Sequence, residues 1–193
     1  MIEKLNSINR NNTWKLTVLP ANKKAIDVKW IFKLKLKPNG EVAKHKARLV
    51  ARGFMQKAGM DYFEVYAPVA RLETVRLIVA ITCGSNWPMH HLDVKSAFLN
   101  GPLDEEVYVT HPPGFKIKGK ENMVYKLYKT LYGPKQAPRA WNKRIDSFLV
   151  KQDFVKCKSE FDVYVKKGIK GNQLLICLYV DDLIVTGRDV NEI

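Results

Sequence analysis

Two adjacent carboxylates, Asp181 and Asp182, interrupt the segment LLICLYVDDLIVTG (residues 174–187), which is otherwise apolar and suited to burial. In a partly desolvated position two neighbouring carboxylates repel each other, and one of them would take up a proton rather than stay charged. A divalent cation removes this cost, because Mg²⁺ binds hard oxygen ligands from one or two carboxylates, water and phosphates. A solvated acidic turn is the alternative that these two residues leave open.

Asp93 supplies a third carboxylate, at the end of the short apolar segment MHHLDV that is predicted as a strand. If this strand neighbours the Asp181–Asp182 hairpin, three carboxylates converge at one edge of the sheet. Two metal ions ~3.5–4 Å apart at such a site would stabilise the attacking and leaving oxygens of an in-line phosphoryl displacement. His90 and His91 precede Asp93, but they point to opposite faces of a strand, so we expect packing or surface residues.

Positive charge is concentrated in one part of the chain. The 193 residues carry 33 Lys/Arg against 19 Asp/Glu, a net charge of +14, and residues 23–57 hold eleven of the basic residues against two acids. Such a surplus favours a polyanionic partner. The basic stretch alternates with apolar residues around Asn39-Gly40, which is a strong hairpin signal. The predicted pairs are Lys35–Lys44, Lys33–Lys46 and Ile31–Arg48 on one face, and Leu36–Ala43 and Phe32–Ala47 on the other.

Cations directly opposite each other destabilise a strand pair, so the cationic face of this hairpin is predicted to bind an anion. Arg48 and Arg52 add charge to the same region, which favours phosphate. An edge hairpin that uses lysines against aggregation is the alternative.

Further patterns predict the elements that must position these residues. A helix predicted over residues 72–84 would bury Leu72, Val75 and Val79. A second helix, predicted after Pro138, would bury Trp141, Ile145 and Leu149, which have i, i+4, i+8 spacing. Strands are predicted around residues 89–94, 161–165 and 174–180, with EEVYVTHPPGF and NMVYKLYKTLYG as two more. A two-residue turn at Asp181–Asp182 would pair Tyr179 with Ile184. This order predicts an α+β fold with helices packed on one face of an antiparallel sheet.

Three cysteines without CxxC spacing are predicted to be reduced core thiols. The chain shows no signal peptide and no apolar run of membrane-spanning length, so a soluble intracellular protein without a membrane partner is expected.

Five blocks of the sequence, in the same order, resemble the copia-type LTR-retrotransposon reverse transcriptase domain over residues 14–187. The blocks are KARLVARGF, YAPVARLETVRLIVA, LDVKSAFLNG, VYKLYKTLYGPKQAPRAWN and LYVDDLIVTG. The resemblance implies the fingers and palm of a right-hand polymerase, with an antiparallel palm sheet and helices on one face. It places the fingers mainly in residues 14–87 and 100–138 and the palm in residues 88–99 and 139–193, after an N-terminal tail of residues 1–13. The chain ends soon after the aspartate hairpin, so no thumb is expected.

The resemblance also assigns roles to individual residues. The catalytic aspartates are Asp93, Asp181 and Asp182, with the Val94 carbonyl as a further ligand of Mg²⁺, or of Mn²⁺ as a second candidate. The nucleotide-binding residues are Lys46, Arg48 and Arg52 for the triphosphate, Gln136 for the incoming nucleotide and Phe98 against a ribose 2′-hydroxyl. Phe98 is equally well explained as a core aromatic. Lys33, Lys35 and Lys44 on the cationic face are assigned to nucleic acid.

The implied partners are an RNA template, a DNA or RNA primer and deoxynucleoside triphosphates, in a cytoplasmic retrotransposon particle or the nucleus. Pro134 departs from the family pattern LYGLKQAP and fixes φ two residues before Gln136. Two alternatives stay open: an inactive nucleic-acid-binding remnant, and a metal-dependent nuclease, which gives no role to Gln136 or Phe98.

Overall fold

The computed structural model describes residues 1–168 and 172–193. Its helices are α1 (Ile2–Arg10), α2 (Leu72–Gly84) and α3 (Ala137–Lys151). Its strands are β1 (Trp14–Val18), β2 (Val28–Leu36), β3 (Val42–Ala51), β4 (Met89–Asp93), β5 (Pro102–Val109), β6 (Met123–Lys129), β7 (Val155–Lys156), β8 (Val163–Lys167), β9 (Gln173–Tyr179) and β10 (Asp182–Gly187). Within the described ranges, no helix is long and apolar enough to cross a bilayer.

The chain forms two compact units, residues 1–65 with 98–141 and residues 66–97 with 142–193, called unit 1 and unit 2 below. Unit 1 contains the sheet β1-β6-β5 and the β2–β3 hairpin, and unit 2 contains the sheet β4-β10-β9-β8-β7. All these strand pairs are antiparallel, which confirms the predicted mixture of helices and antiparallel sheets. The finer division into fingers and palm stays a prediction.

The N-terminal residues are part of the folded core of unit 1 rather than a tail. Residues 2–10 form α1, and Ile8 is fully buried beside Leu49 and Val109. The helix carries apolar residues on one side, and burial of Ile8 anchors that side to the core. The expectation of a tail over residues 1–13 is therefore wrong for α1, because the burial of Ile8 holds this helix in the core.

The β2–β3 hairpin has the predicted cationic face. Along most of its length the predicted register is confirmed, with the pairs Lys33–Lys46, Lys35–Lys44, Ile31–Arg48 and Phe32–Ala47. The register shifts after Lys35, so that Leu36 faces Val42 and the predicted pair of Leu36 with Ala43 is wrong. The opposite face is apolar but uncovered within unit 1, since Phe32 is 66% exposed.

The shift has its cause at the tip of the hairpin. Gly40 has φ +84, as expected for a turn glycine, but a two-residue turn at Asn39 and Gly40 would need a backbone donor at Pro38, which has no N–H. The Lys37 N–H donates to the Glu41 carbonyl instead, at 2.8 Å. The turn is consequently wider than predicted, and the register shift on β3 takes up the difference.

In unit 2 the two helices contact opposite faces of the five-stranded sheet. Ile78 of α2 packs in one cluster with Val163 and Cys177. Asp146 of α3 accepts a hydrogen bond from the Tyr164 hydroxyl, and Tyr164 points to the other face because side chains alternate along β8. The prediction of helices on one face is therefore wrong for this sheet. β9 is buried on both faces over residues 174–178, so each face needs a covering element.

The buried side of α2 also differs from the prediction. Its buried residues are Thr74, Ile78 and Thr82, whereas Leu72 is 56% exposed. The Thr82 hydroxyl donates to the Ile78 carbonyl at 2.7 Å and lies 3.3 Å from the Thr186 hydroxyl. Threonine can be buried when its hydroxyl is bonded in this way, and a count of apolar residues alone misses it. The predicted side of α3 is confirmed, with Trp141, Ile145 and Leu149 all buried.

The three cysteines are free thiols in different surroundings. Cys177 is buried and Cys157 is half-buried against the same cluster, but Cys83 is exposed, so the prediction of a core position is wrong for Cys83. Burial raises the pKa of Cys177 to about 11. This thiol therefore stays protonated near neutral pH and acts as a small apolar side chain.

Candidate active site

The strand ends of β4 and β10 bring two of the predicted catalytic carboxylates together in unit 2. Asp93 is the last residue of β4 and Asp182 the first residue of β10, and the two are direct partners in the antiparallel ladder. Residues opposite each other in such a ladder point to the same face, with Cβ atoms ~4.5–5.5 Å apart. The strand that carries Asp93 is thus the neighbour of the aspartate hairpin, which is the condition on which the predicted convergence of the carboxylates depends.

The turn that carries Asp181 lies one residue earlier than predicted. Tyr179 pairs with Asp182 rather than with Ile184, so the turn residues are Val180 and Asp181. The register differs because the first position of β10 is used for pairing with β4, and the Val94 N–H donates to the Asp181 carbonyl at 2.8 Å. Val180 has φ +57, a left-handed conformation that is strained for a β-branched residue.

The Asp182 carboxylate has a partner that the sequence reading missed. The Nε2 atom of His91 lies 2.9 Å from Asp182 Oδ1, and the two side chains are 68% and 45% exposed. The signal was available: His91 and Asp93 are two residues apart on one strand and share a face. A cleft of about 490 Å³ opens beside this pair, lined also by Val75, Cys177 and Tyr179.

Oxygen ligands at this strand edge suit Mg²⁺ or Mn²⁺, and the opposed position of Asp93 and Asp182 puts two of them on one face. A cation between two facing carboxylates would also remove their mutual repulsion. Across residues 1–168 and 172–193, however, no three His, Cys, Asp or Glu side chains gather closely enough to hold a metal ion. The donor set therefore fits a cation held by one or two carboxylates, with Asp181 the adjacent turn residue.

The cationic face of the hairpin shows the predicted electrostatic conflict within unit 1. The positive charge of Lys35, with which Lys46 also shares a hydrogen bond, lowers the pKa of Lys46, and Arg48 and Lys44 lower it further. Lys33 faces Lys46 directly. The positive charges on this surface repel one another, so a bound anion lowers the electrostatic free energy more here than on a surface without such repulsion.

The ring of Tyr132 contacts two of the predicted nucleotide-binding residues, Arg48 and Phe98, in unit 1. The Arg48 guanidinium lies 5.0 Å from the centre of the Tyr132 ring, a cation–π distance. Phe98 meets the same ring edge to face, with centroids 4.9 Å apart. Phe98 is half-buried in the 3₁₀ helix Ala97–Asn100 and its carbonyl accepts a hydrogen bond from the Thr130 hydroxyl. Spacing along the chain gave no signal for Tyr132. Arg52 follows β3 and is exposed.

Gln136 is placed differently from the role that the resemblance assigned to it. It is 2% exposed, its Nε2 donates to the Asp61 carbonyl at 3.0 Å, and its Oε1 accepts from Gln56 Nε2 at 3.0 Å. Gln56 Oε1 also accepts from the Lys135 N–H. A direct contact with a nucleotide would require these bonds to be exchanged. In this structure Gln136 connects residues 56–61 to the start of α3.

Comparison with known proteins extends the match over nearly the whole chain. The family model described as "Reverse transcriptase (RNA-dependent DNA polymerase)" matches residues 11–193. The Retrovirus-related Pol polyprotein from transposon TNT 1-94 of Nicotiana tabacum is 42% identical over 189 residues, which are 98% of this chain and 14% of that protein.

Two further relatives also match nearly the whole chain. The Retrovirus-related Pol polyprotein from transposon RE1 of Arabidopsis thaliana is 40% identical over 181 residues, 93% of this chain and 12% of that protein. The Truncated transposon Ty1-A Gag-Pol polyprotein of Saccharomyces cerevisiae is 31% identical over 193 residues, 98% of this chain and 15% of that protein. The chain thus spans about one seventh of the length of these copia-type relatives, and it belongs to the reverse transcriptase (RNA-dependent DNA polymerase) family.

Proposed function

We propose that this chain is the RNA-directed DNA polymerase domain of a copia-type Pol polyprotein, which adds deoxynucleotides to a primer 3′-hydroxyl on an RNA template. The observation that carries the proposal is the direct pairing of Asp93 with Asp182 at the end of β4, beside the turn residue Asp181. Its partners would be an RNA template, a DNA or RNA primer and deoxynucleoside triphosphates.

The aspartates would hold the divalent cations of the reaction. Asp93 and Asp182, on one face, would be carboxylate ligands for Mg²⁺ or Mn²⁺, and Asp181 and the Val94 carbonyl would supply further oxygen ligands from the adjoining backbone segments. When bound, these ions supply Lewis-acid activation of a hydroxyl and neutralise phosphate charge. The hydrogen bond from the Val94 N–H to the Asp181 carbonyl ties the turn to the end of β4. It keeps the backbones from which these carboxylates project at a fixed separation, which reduces the reorganisation needed on binding.

The cationic hairpin would bind the phosphates. Lys46, Arg48 and Arg52 supply positive charge to the triphosphate, while Lys33, Lys35 and Lys44 contact the nucleic-acid backbone. The lowered pKa of Lys46 supports this assignment, because an anion relieves the repulsion from Lys35. Arg48 keeps its orientation through contact with Tyr132.

The sugar and base of the incoming nucleotide would meet residues around Tyr132. The edge-to-face contact fixes the ring of Phe98, and a fixed ring can exclude a ribose 2′-hydroxyl by its volume. Gln136 would act by holding residues 56–61, since both groups of its amide already have protein partners.

Primer extension on an RNA template with Mg²⁺ and all four deoxynucleotides tests the proposal. We expect the parent chain to lengthen the primer and Asp181→Asn to lose at least about 100-fold in rate, because a cation ligand is removed. Asp153→Asn, a change at an exposed aspartate after α3, serves as control and should extend like the parent. A parent that binds duplex but never extends it would be an inactive remnant, and shortening of the strands would identify a nuclease.

A further inference from the structure

His91 contacts Asp182, one of the candidate catalytic carboxylates, but it is not among the residues assigned as ligands of the cation. It is in the middle of β4, two residues before Asp93 and on the same face of the sheet. In the β4–β10 ladder it faces Ile184, diagonal to Asp182, and its Nε2 reaches Asp182 Oδ1 at 2.9 Å. The imidazole is therefore part of the surface from which the two carboxylates project.

The chemistry of this contact excludes the Nε2 atom of His91 as a metal ligand in the observed arrangement. A carboxylate has only acceptor sites, so the Nε2 atom that meets it must carry a proton. A protonated ring nitrogen has no lone pair for a cation. The hydrogen bond occupies Oδ1 of Asp182 and leaves its second oxygen, Oδ2, available.

We propose that His91 is the positioning residue of the cation site: its Nε2–H holds Oδ1 of Asp182 so that Oδ2 is presented to a divalent cation. This inference rests on the proposed function, since it takes Asp182 as a cation ligand. Asp182 is 45% exposed, so without a donor its carboxylate would rotate in solvent. A donor to the far oxygen of a ligating carboxylate is the kind of supporting contact that tunes cation affinity.

The facing carboxylate gives a second reason for a donor at this place. Asp93 is directly opposite Asp182, and like charges in that position repel. Repulsion alone would turn the two carboxylates away from each other before a cation binds. A donor that fixes Asp182 opposes this movement, so less reorganisation is needed on binding.

The chain offers a matched control in the preceding residue. His90 is also exposed but points to the opposite face of β4, where it is opposite Val185. Replacement of His90 therefore changes the same ring on the same strand without touching Asp182. Because both histidines are exposed, neither substitution removes a core contact.

Mn²⁺ binding, followed by the electron paramagnetic resonance signal of the free ion at fixed pH, tests the inference on the intact chain. We expect His91→Leu to weaken Mn²⁺ binding about three- to tenfold, the low end for such a contact because the site is exposed. His91→Gln should recover most of the affinity, since its amide Nε2–H can donate to the same oxygen. His90→Leu should bind like the parent.

Three outcomes would overturn the inference, and each can be told apart from the others. Equal affinity of the parent and His91→Leu, in a parent that extends primers, would overturn it while leaving the proposed polymerase intact. Loss in His91→Gln as large as in His91→Leu would overturn the role of the donated hydrogen bond. A parent that binds no Mn²⁺ would overturn the inference, whereas the expected pattern in a parent that never extends primers would support it and defeat the proposed function.

Discussion

At the scale of single residues, the buried carboxyl group of Asp162 contrasts with the partly or fully exposed carboxylates of the candidate site. Asp162 is 4% exposed and its Oδ1 has no hydrogen-bond partner among the described residues. Burial raises its pKa from 3.8 to about 6, against the opposing positive charge of Lys156, and Glu160 raises it further. Folding therefore favours the protonated form of this group.

Stability should respond to pH through this residue. Because the folded pKa of about 6 lies above the unfolded value near 3.8, the free energy of unfolding falls as pH rises through this interval and stays low above it. Asp162→Asn removes the penalty, so we expect it to raise the free energy of unfolding by about 1–3 kcal/mol at pH 8 and by less at pH 4.5. Urea unfolding at both pH values measures the difference.

Asp153→Asn is the control for this comparison, because Asp153 is exposed. It should change the free energy of unfolding by the same small amount at the two pH values. An Asp162→Asn effect that is equally large at pH 4.5 and pH 8 would contradict a titration and would indicate a packing effect instead.

At the scale of elements, a close contact between β3 and the segment before α3 fixes the loop that holds Gln136. The Ala51 N–H donates to the Tyr132 carbonyl at 2.8 Å, and a parallel bridge joins Val50 to Tyr132. Gly133 follows with φ +111, and a Cβ atom there would collide with the carbonyl of Ala51. Only glycine satisfies both conditions.

Gly133→Ala should consequently destabilise unit 1. We expect a loss of about 2–4 kcal/mol in the free energy of unfolding, because the backbone conformation and the contact with Ala51 are both lost. Gly84→Ala at the end of α2 is the matched control, since its added Cβ would meet no atom within 4 Å beyond its chain neighbours and the nearby backbone of its own helix. Denaturant unfolding checks the pair, and a Gly133→Ala variant within about 0.5 kcal/mol of the parent would show that the two segments separate easily.

Sequence reasoning succeeded for elements whose information is local. Alternation predicted the register of β2 with β3 up to Lys35, and helical spacing predicted the buried side of α3. It failed where a distant partner decides the outcome. The turn at Val180 depends on pairing with β4, and the buried threonines of α2 depend on Thr186.

In the candidate site, too, local sequence information identified some residues, and others depend on contacts with distant segments of the chain. Residue types and family blocks were sufficient to select Asp93, Asp181 and Asp182, and the neighbouring strands follow from them. His91 and Tyr132 were missed because their partners lie on other segments of the chain. The family pattern pointed to Gln136 as a nucleotide contact, and that role stays a prediction, but its burial against Gln56 could not be read from the sequence.

At the scale of the whole molecule, the net charge of +14 and its concentration in residues 23–57 predict strongly salt-dependent binding of nucleic acid. Each phosphate neutralised by a lysine contributes about 0.9 to the slope of log affinity against log salt concentration for a duplex. The three lysines assigned to the nucleic-acid backbone, Lys33, Lys35 and Lys44, would thus account for a slope of roughly 2–3.

Replacement of these three lysines by glutamine should reduce the slope by roughly 2–3, measured by fluorescence anisotropy with a labelled RNA–DNA duplex across a salt series. The control is a triple glutamine variant at Lys116, Lys118 and Lys120, which are also exposed lysines of unit 1. An equal reduction in both variants would mean that the duplex responds to total charge and does not use the hairpin face.

The decisive measurement for the proposed polymerase is the rate at which the chain adds one deoxynucleotide to an RNA-templated primer in Mg²⁺, compared with that of Asp93→Asn. Asp93 faces Asp182 across the strand pair on which the proposed polymerase centre depends. We expect addition by the parent and a loss of at least about 100-fold in the variant, with duplex affinity unchanged within about twofold. Equal rates in the two proteins would contradict it.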